Sequence, residues 1–126
     1  MKGEGKKGRD ITERTFRYAL RAIRLYQYVI EKGDGAGKVI ARQYLRSATS
    51  VGANVEEAQA AESRADFIHK YGLAQKEARE SLYWLKLLSE SALVSKTRLS
   101  PLIQETNELI AIITRIILNT KRRAKP

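Results

Sequence analysis

The sequence predicts an all-α protein, an up-down-up-down antiparallel four-helix bundle. Apolar and small residues recur at alternating spacings of three and four through most of the 126 residues, the pattern of helices packed along a seam. Glycine runs and cap residues cut the chain into four such segments, each about 20 to 28 residues long. No segment carries the alternation of a strand.

The first segment opens at Asp10, whose D-x-x-E pattern with Glu13 suits the free N–H groups of a starting helix, and it reaches Lys32 without glycine or proline. Its core stripe reads as Phe16, Leu20 and Ile23. Gly33-Asp34-Gly35-Ala36-Gly37 then interrupts it, because each glycine costs about 1 kcal/mol in a helix interior. A second helix over residues 38–61 sets Tyr44, Ala48, Val51, Val55 and Ala58 on one seam. Ser63 and Asp66 cap a third helix, residues 63–92, with the seam Phe67, Tyr71, Ala74, Ala78, Ser81, Leu85 and Leu88. The fourth, residues 98–120, starts either at Ser100-Pro101, a cap followed by proline at the first helical position, or a turn earlier near Thr97. Its seam is Leu102, Thr106, Leu109, Ile113 and Ile116. Ile103, Ile110, Ile112 and Ile117 widen that apolar surface beyond what packing within one subunit requires, so self-association is expected. The chain thus reads as one domain, residues 10–120, between basic tails at 1–9 and 121–126, the first of them glycine-rich and without fixed structure.

Composition narrows the function. The absence of cysteine excludes disulfides, thiolate metal sites and cysteine nucleophiles. No run approaches the roughly 18 apolar residues of a membrane span, and no apolar signal core follows the N-terminus. A cytoplasmic protein with no membrane role is the expectation. The formal charge is +10, of which the two tails hold +7. Such a surplus attracts polyanions.

Two rows of cations sharpen this reading. Arg14, Arg17, Arg21 and Arg24 recur at spacings of three, four and three on one face of the first helix, and Lys38, Arg42 and Arg46 form a shorter row on the second. With Lys121, Arg122 and Arg123 near the C-terminus they are the candidate contacts to RNA or DNA phosphates. A solvated face opposite the core would look the same. Ser47, Ser50, Asn54 and Glu57 place four polar groups along one side of the second helix. They read as a hydrogen-bonded register or interface device rather than a ligand site, since buried polar groups must find partners. Arg46 adjoins them and has Glu57, Glu80 or a neighbouring subunit as possible carboxylate partners. The tyrosines sit at or beside apolar seams and read as core or interface residues, with Tyr83 and Trp84 as the interface anchor.

The run from Gln43 to Ala58 contains R-S-A-x-S-x-G-A-N-x-x-E, and downstream stand Asp66-Phe67-Ile68-His69-Lys70 and Lys76-Glu77-Ala78-Arg79-Glu80-Ser81-Leu82-Tyr83-Trp84-Leu85. Over residues 16–118 this text resembles the four-helix-bundle family encoded in intervening sequences of bacterial 23S ribosomal RNA genes, the S23 proteins. The resemblance implies a ring-shaped homo-oligomer, a pentamer favoured, without catalytic activity. It also implies kinship with accessory variability proteins of diversity-generating retroelements, which bind a reverse transcriptase and nucleic acid.

Enzymatic chemistry finds no complete set of groups. His69 is the only histidine, and Asp66-x-x-His69 is half of a di-metal bundle motif. Gly33-x-Gly35-x-Gly37 lacks the strand and the lysine-serine/threonine ending of a phosphate loop. Glu77 and Glu80 form a carboxylate pair that Lys76 and Arg79 can neutralise. The expectation is a non-enzyme without cofactor, metal or small-molecule substrate, whose partners are its own copies, RNA or DNA, and a reverse transcriptase; a protein–protein scaffold is the alternative.

Overall fold

Asp34 decides where the second helix begins. Its side chain accepts a hydrogen bond from the Gly37 amide at 3.0 Å, so the glycine run is a capped helix start and not a loop. In the computed structural model, which describes the backbone of residues 2–124 and the side chains of residues 11–123, the helices are α1 (Lys2–Lys32), α2 (Gly35–Ala58), α3 (Arg64–Glu90) and α4 (Lys96–Ala124). No strand occurs among the described residues.

Helix ends differ from the sequence expectation, at α2 and α4 in ways that cap chemistry explains. α1 continues back past Asp10 to Lys2, through Gly3, Gly5 and Gly8, an extension that helix propensity does not favour. The side chains of the expected tail, residues 1–9, lie outside the described residues, as do residues 125–126. Lys121, Arg122 and Arg123 form the last turn of α4 rather than a tail, where positive charge complements the helix dipole. α2 starts at Gly35 instead of Lys38 and ends at Ala58. α3 opens as read, with Ser63 Oγ accepting from the Asp66 amide at 3.0 Å. It stops at Glu90, and Ala92 takes a left-handed φ of 62° in the turn that follows. For α4 the earlier start holds. The Ser95 hydroxyl accepts from the Arg98 amide at 3.2 Å, and Leu99, fully buried one turn before Leu102, draws this turn into the helix. Ser100-Pro101 is therefore no cap, and Pro101 lies inside α4.

Side-chain pairs fix an up-down-up-down bundle. Across α1 and α4, Arg14 meets Glu105 while Tyr28 meets Arg98. Across α2 and α3, Arg46 meets Glu77 while Glu57 meets Lys70. Across α3 and α4, Arg64 meets the Arg123 carbonyl while Gln75 meets Thr114. In each pair of helices the residue number rises along one helix as it falls along the other, as antiparallel neighbours require. Gly52 lets α1 and α2 approach closely, because a Cβ there would stand 3.2 Å from the Thr15 carbonyl oxygen. The α1–α4 seam is the most thinly packed of the four.

The seams read from sequence in α2, α3 and α4 are the buried ones, except that Ile117 displaces Ile116 and Phe67 is half-buried. The stripe read for α1 is not. Phe16, Leu20 and Ile23 are 65, 40 and 39% exposed, and the core face is Ile11, Thr15, Tyr18, Ala22, Leu25 and Val29. This second set is an unbroken four-three repeat over five turns, so it matches the bundle axis along the whole helix, whereas the three larger residues cover only part of it. Midway along the bundle the core turns polar. Tyr18 donates to Thr106 Oγ1 at 2.5 Å, while Thr106 passes its own proton to the Leu102 carbonyl at 2.6 Å. Ser47 and Ser81 hydroxyls lie 2.8 Å apart. The buried Tyr44 hydroxyl, beside Tyr18, reaches no hydrogen-bond partner.

Candidate nucleic-acid interface

A row of four arginines on one helix face does not act as a row, because α4 supplies acids to only part of it. Arg14 forks onto Glu105, with Nε 3.1 Å and Nη2 2.6 Å from the two carboxylate oxygens, and reaches Glu108 at 2.9 Å. Glu105, above all, holds the guanidinium protonated and raises its pKa further. Arg14 is thereby committed to the bundle. Arg17 pairs with Glu13 one turn back at 2.9 Å, an exposed contact of little energetic weight.

Arg21 and Arg24 are different. They line a recess of about 240 Å³ at the α1–α4 seam together with Leu25, Tyr28, Arg98, Pro101 and Leu102. None of Arg21, Arg24 or Arg98 has a carboxylate within ion-pair distance among the described residues. Arg98 stacks on Tyr28, its guanidinium carbon 3.7 Å from the ring centroid, and Lys32 lies 5.4 Å from the same centroid. Arg21 also reaches inward electrostatically: its charge opposes the burial that raises the Tyr18 and Tyr44 hydroxyl pKa values. The first carboxylates along α4, Glu105 and Glu108, are held by Arg14. Like charges converge here without compensation, an arrangement that favours a bound anion.

The remaining candidates divide similarly. Arg46 is bound to Glu80 and lies 3.4 Å from Glu77, and Trp84 donates its indole N–H to the same Glu80 at 3.0 Å. Lys38 and Arg42 have no carboxylate partner among the described residues, and Arg122 and Arg123 are exposed beside Lys121. Arg64 donates to the Arg123 carbonyl at 3.0 Å, tying the end of α4 to α3. Of the polar set on α2, Ser47 reaches Ser81 and Glu57 reaches Lys70 at 2.8 Å. Ser50 and Asn54 instead bond carbonyls of their own helix, those of Arg46 and Ser50. Tyr83 is exposed with its ring edge against Trp84.

Arg98, Tyr28 and Lys32 were not visible as site residues in the sequence, since Arg98 lies 74 positions from Arg24. The signal available was the Tyr28-to-Lys32 spacing of four on the α1 face that also carries Arg21 and Arg24.

Residues 8–115 match the sequence model of the family described as 23S rRNA-intervening sequence protein. The chain belongs to that family. The matched region holds the whole recess, whereas the basic last turn of α4 lies beyond it. Among solved structures, the chain is similar to a protein of unknown function from the S23 ribosomal protein family of Bacteroides thetaiotaomicron VPI-5482. The two share 34% identity over 85% of this chain and 97% of that chain, with a TM-score of 0.80. No curated protein matches the sequence. Among the described residues, no helix is long and apolar enough to cross a membrane, and no three His, Asp or Glu side chains gather as metal ligands would.

Proposed function

We propose that this protein is a non-enzymatic, homo-oligomeric nucleic-acid-binding accessory of the cytoplasm, which grips RNA or DNA phosphates with those cations that the fold leaves unpaired. The observation that carries this reading is the α1–α4 recess, where Arg21, Arg24 and Arg98 meet without a carboxylate while Arg14 next to them is neutralised. A net charge of +10 and the exposed Lys121, Arg122 and Arg123 add a diffuse field around that site. Glu77 and Glu80, a carboxylate pair spaced for acid–base work, are both engaged by Arg46, which favours a binding role over a catalytic one.

Self-association, with a pentameric ring favoured by the family resemblance, is supported by the exposed apolar stripe Phe16, Leu20 and Ile23 on the outer face of α1. Each copy brings one recess, so an oligomer multiplies weak phosphate contacts into useful avidity. The biological setting is an rRNA intervening sequence or a retroelement whose reverse transcriptase the ring assists. A protein–protein scaffold is the second reading, favoured by that apolar stripe together with exposed Tyr83. Fluorescence anisotropy of labelled RNA and DNA over a salt series decides between them. Affinity that falls steeply with salt is expected, and no binding even at low salt would overturn the nucleic-acid reading.

A further inference from the structure

Contacts to the outside of a duplex need only cations on a convex surface. The α1–α4 recess offers more than that. Its floor is apolar, formed by Leu25 and Leu102, which are 5 and 6% exposed, and its wall is the Tyr28 ring with Arg98 stacked on it. The cations Arg21 and Arg24 stand beside this floor. A free inorganic anion gains nothing from an apolar floor and an aromatic wall. A flat body with a π face and a charge at each side gains from all of them.

Resting on the nucleic-acid reading above, we propose that the recess is a single-strand pocket: one unpaired base stacks against the Tyr28–Arg98 pair while Arg21 and Arg24 hold the flanking phosphates. Arginine planes and aromatic rings are the surfaces on which splayed-out bases rest in single-strand recognition. The volume of about 240 Å³ is room enough for one base. A base within a duplex is stacked on both faces and cannot enter. The pocket therefore discriminates strandedness, since every base has a π face that a duplex keeps covered.

The test uses the full-length protein and three labelled probes of equal length at one salt concentration: a 20-nucleotide single strand, the corresponding duplex, and an abasic 20-mer that keeps the phosphates. The single strand is expected to bind about tenfold tighter than the other two, the worth of one or two stacked bases. Arg98→Lys keeps the charge and loses the plane, so it should erase most of that preference while leaving duplex affinity and the salt slope unchanged; Tyr28→Phe should retain the preference. Equal affinity for all three probes, or an equal loss on single strand and duplex in Arg98→Lys, overturns the pocket while leaving nucleic-acid binding intact. No binding of any probe at low salt overturns both readings. Photocrosslinking of a 4-thiouridine strand to the unaltered protein keeps the test independent of variant folding: adducts on the peptides holding Tyr28 or Arg98 support the pocket, and adducts elsewhere only contradict it.

Discussion

Arg14 and Glu105 meet in a two-pronged ion pair, 3.1 and 2.6 Å long, that ties α1 to α4 where the bundle is most thinly packed. The same pair removes one arginine from the basic face. Glu105→Gln should therefore act twice, in opposite senses. Stability falls by about 1 kcal/mol, because a partly buried charged hydrogen bond is lost, while affinity for nucleic acid rises as Arg14, left with Glu108 as its one carboxylate, regains net positive charge. Chemical denaturation and anisotropy on the same variant check both, and a loss of affinity would contradict the assignment of Arg14 to structure.

Acid should weaken the same seam. Arg14, and after it Gln104, holds the Glu108 carboxyl below its ordinary pKa. A carboxylate depressed in the folded state contributes its stability above the unfolded value, about 4.3. That contribution is lost as pH falls through the lowered folded value. Urea midpoints should drop below about pH 4, and Glu108→Gln should flatten that drop.

Alkali should act on the bundle centre. Burial raises the hydroxyl pKa values of Tyr18, Tyr44 and Tyr71. The neutral phenols are favoured in the fold, so stability is complete below the unfolded value of about 10 and is lost as pH rises beyond it toward the folded values. Tyr44→Phe should flatten this loss. At neutral pH it should cost nothing or add up to about 1 kcal/mol, because the hydroxyl it removes is buried without a partner. Tyr18→Phe, which breaks the bond to Thr106, should instead destabilise. Equal effects from the two variants would contradict the hydrogen-bond assignment.

Gly52 sits where a side chain would press on the Thr15 backbone. Gly52→Val should cost about 2 kcal/mol through overpacking against α1. Thermal melting measures it, and an unchanged melting temperature would mean that the α1–α2 approach is looser than described.

The exposed stripe on α1 makes a separate claim. Phe16, Leu20 and Ile23 lie outside the buried core, so changing them together to serine should leave the helix content in place. Sedimentation velocity should then show a smaller species than the wild type. An unchanged oligomer would move the interface elsewhere, with Tyr83 and Trp84 the next surface to examine.

Much of the architecture was legible because three of the four seams use the same regular spacing, and because Ser63, which accepts from the Asp66 amide, announces a helix start through local side-chain chemistry. α1 misled because it bears two apolar stripes. The larger side chains, Phe16, Leu20 and Ile23, face outward, while Ala22 is buried and Thr15 and Tyr18 face in, Thr15 to Gly52 and Tyr18 to Tyr44 and Thr106. Size suggested the wrong face, and only the partners on other helices reveal the right one. The site was half visible for a related reason. A row of arginines is a local pattern, but whether each is free depends on acids about 90 residues away, as Glu105 and Glu108 are from Arg14. Arg98 joins Arg21 and Arg24 only through the antiparallel return of α4.

The central claim is that placement, and not total charge, selects the cations that bind. Two triple variants remove three charges each: Arg21→Gln, Arg24→Gln and Arg98→Gln in the recess, and Lys76→Gln, Arg79→Gln and Lys86→Gln at exposed positions of α3. Binding of a single-stranded probe is measured against salt for both. The recess triple should lower the log–log salt slope by about 2 per subunit site and weaken binding roughly tenfold or more at 0.1 M salt, while the distant triple changes the slope little. Equal losses in the two variants would contradict the claim and leave a diffuse positive field as the whole of the interaction.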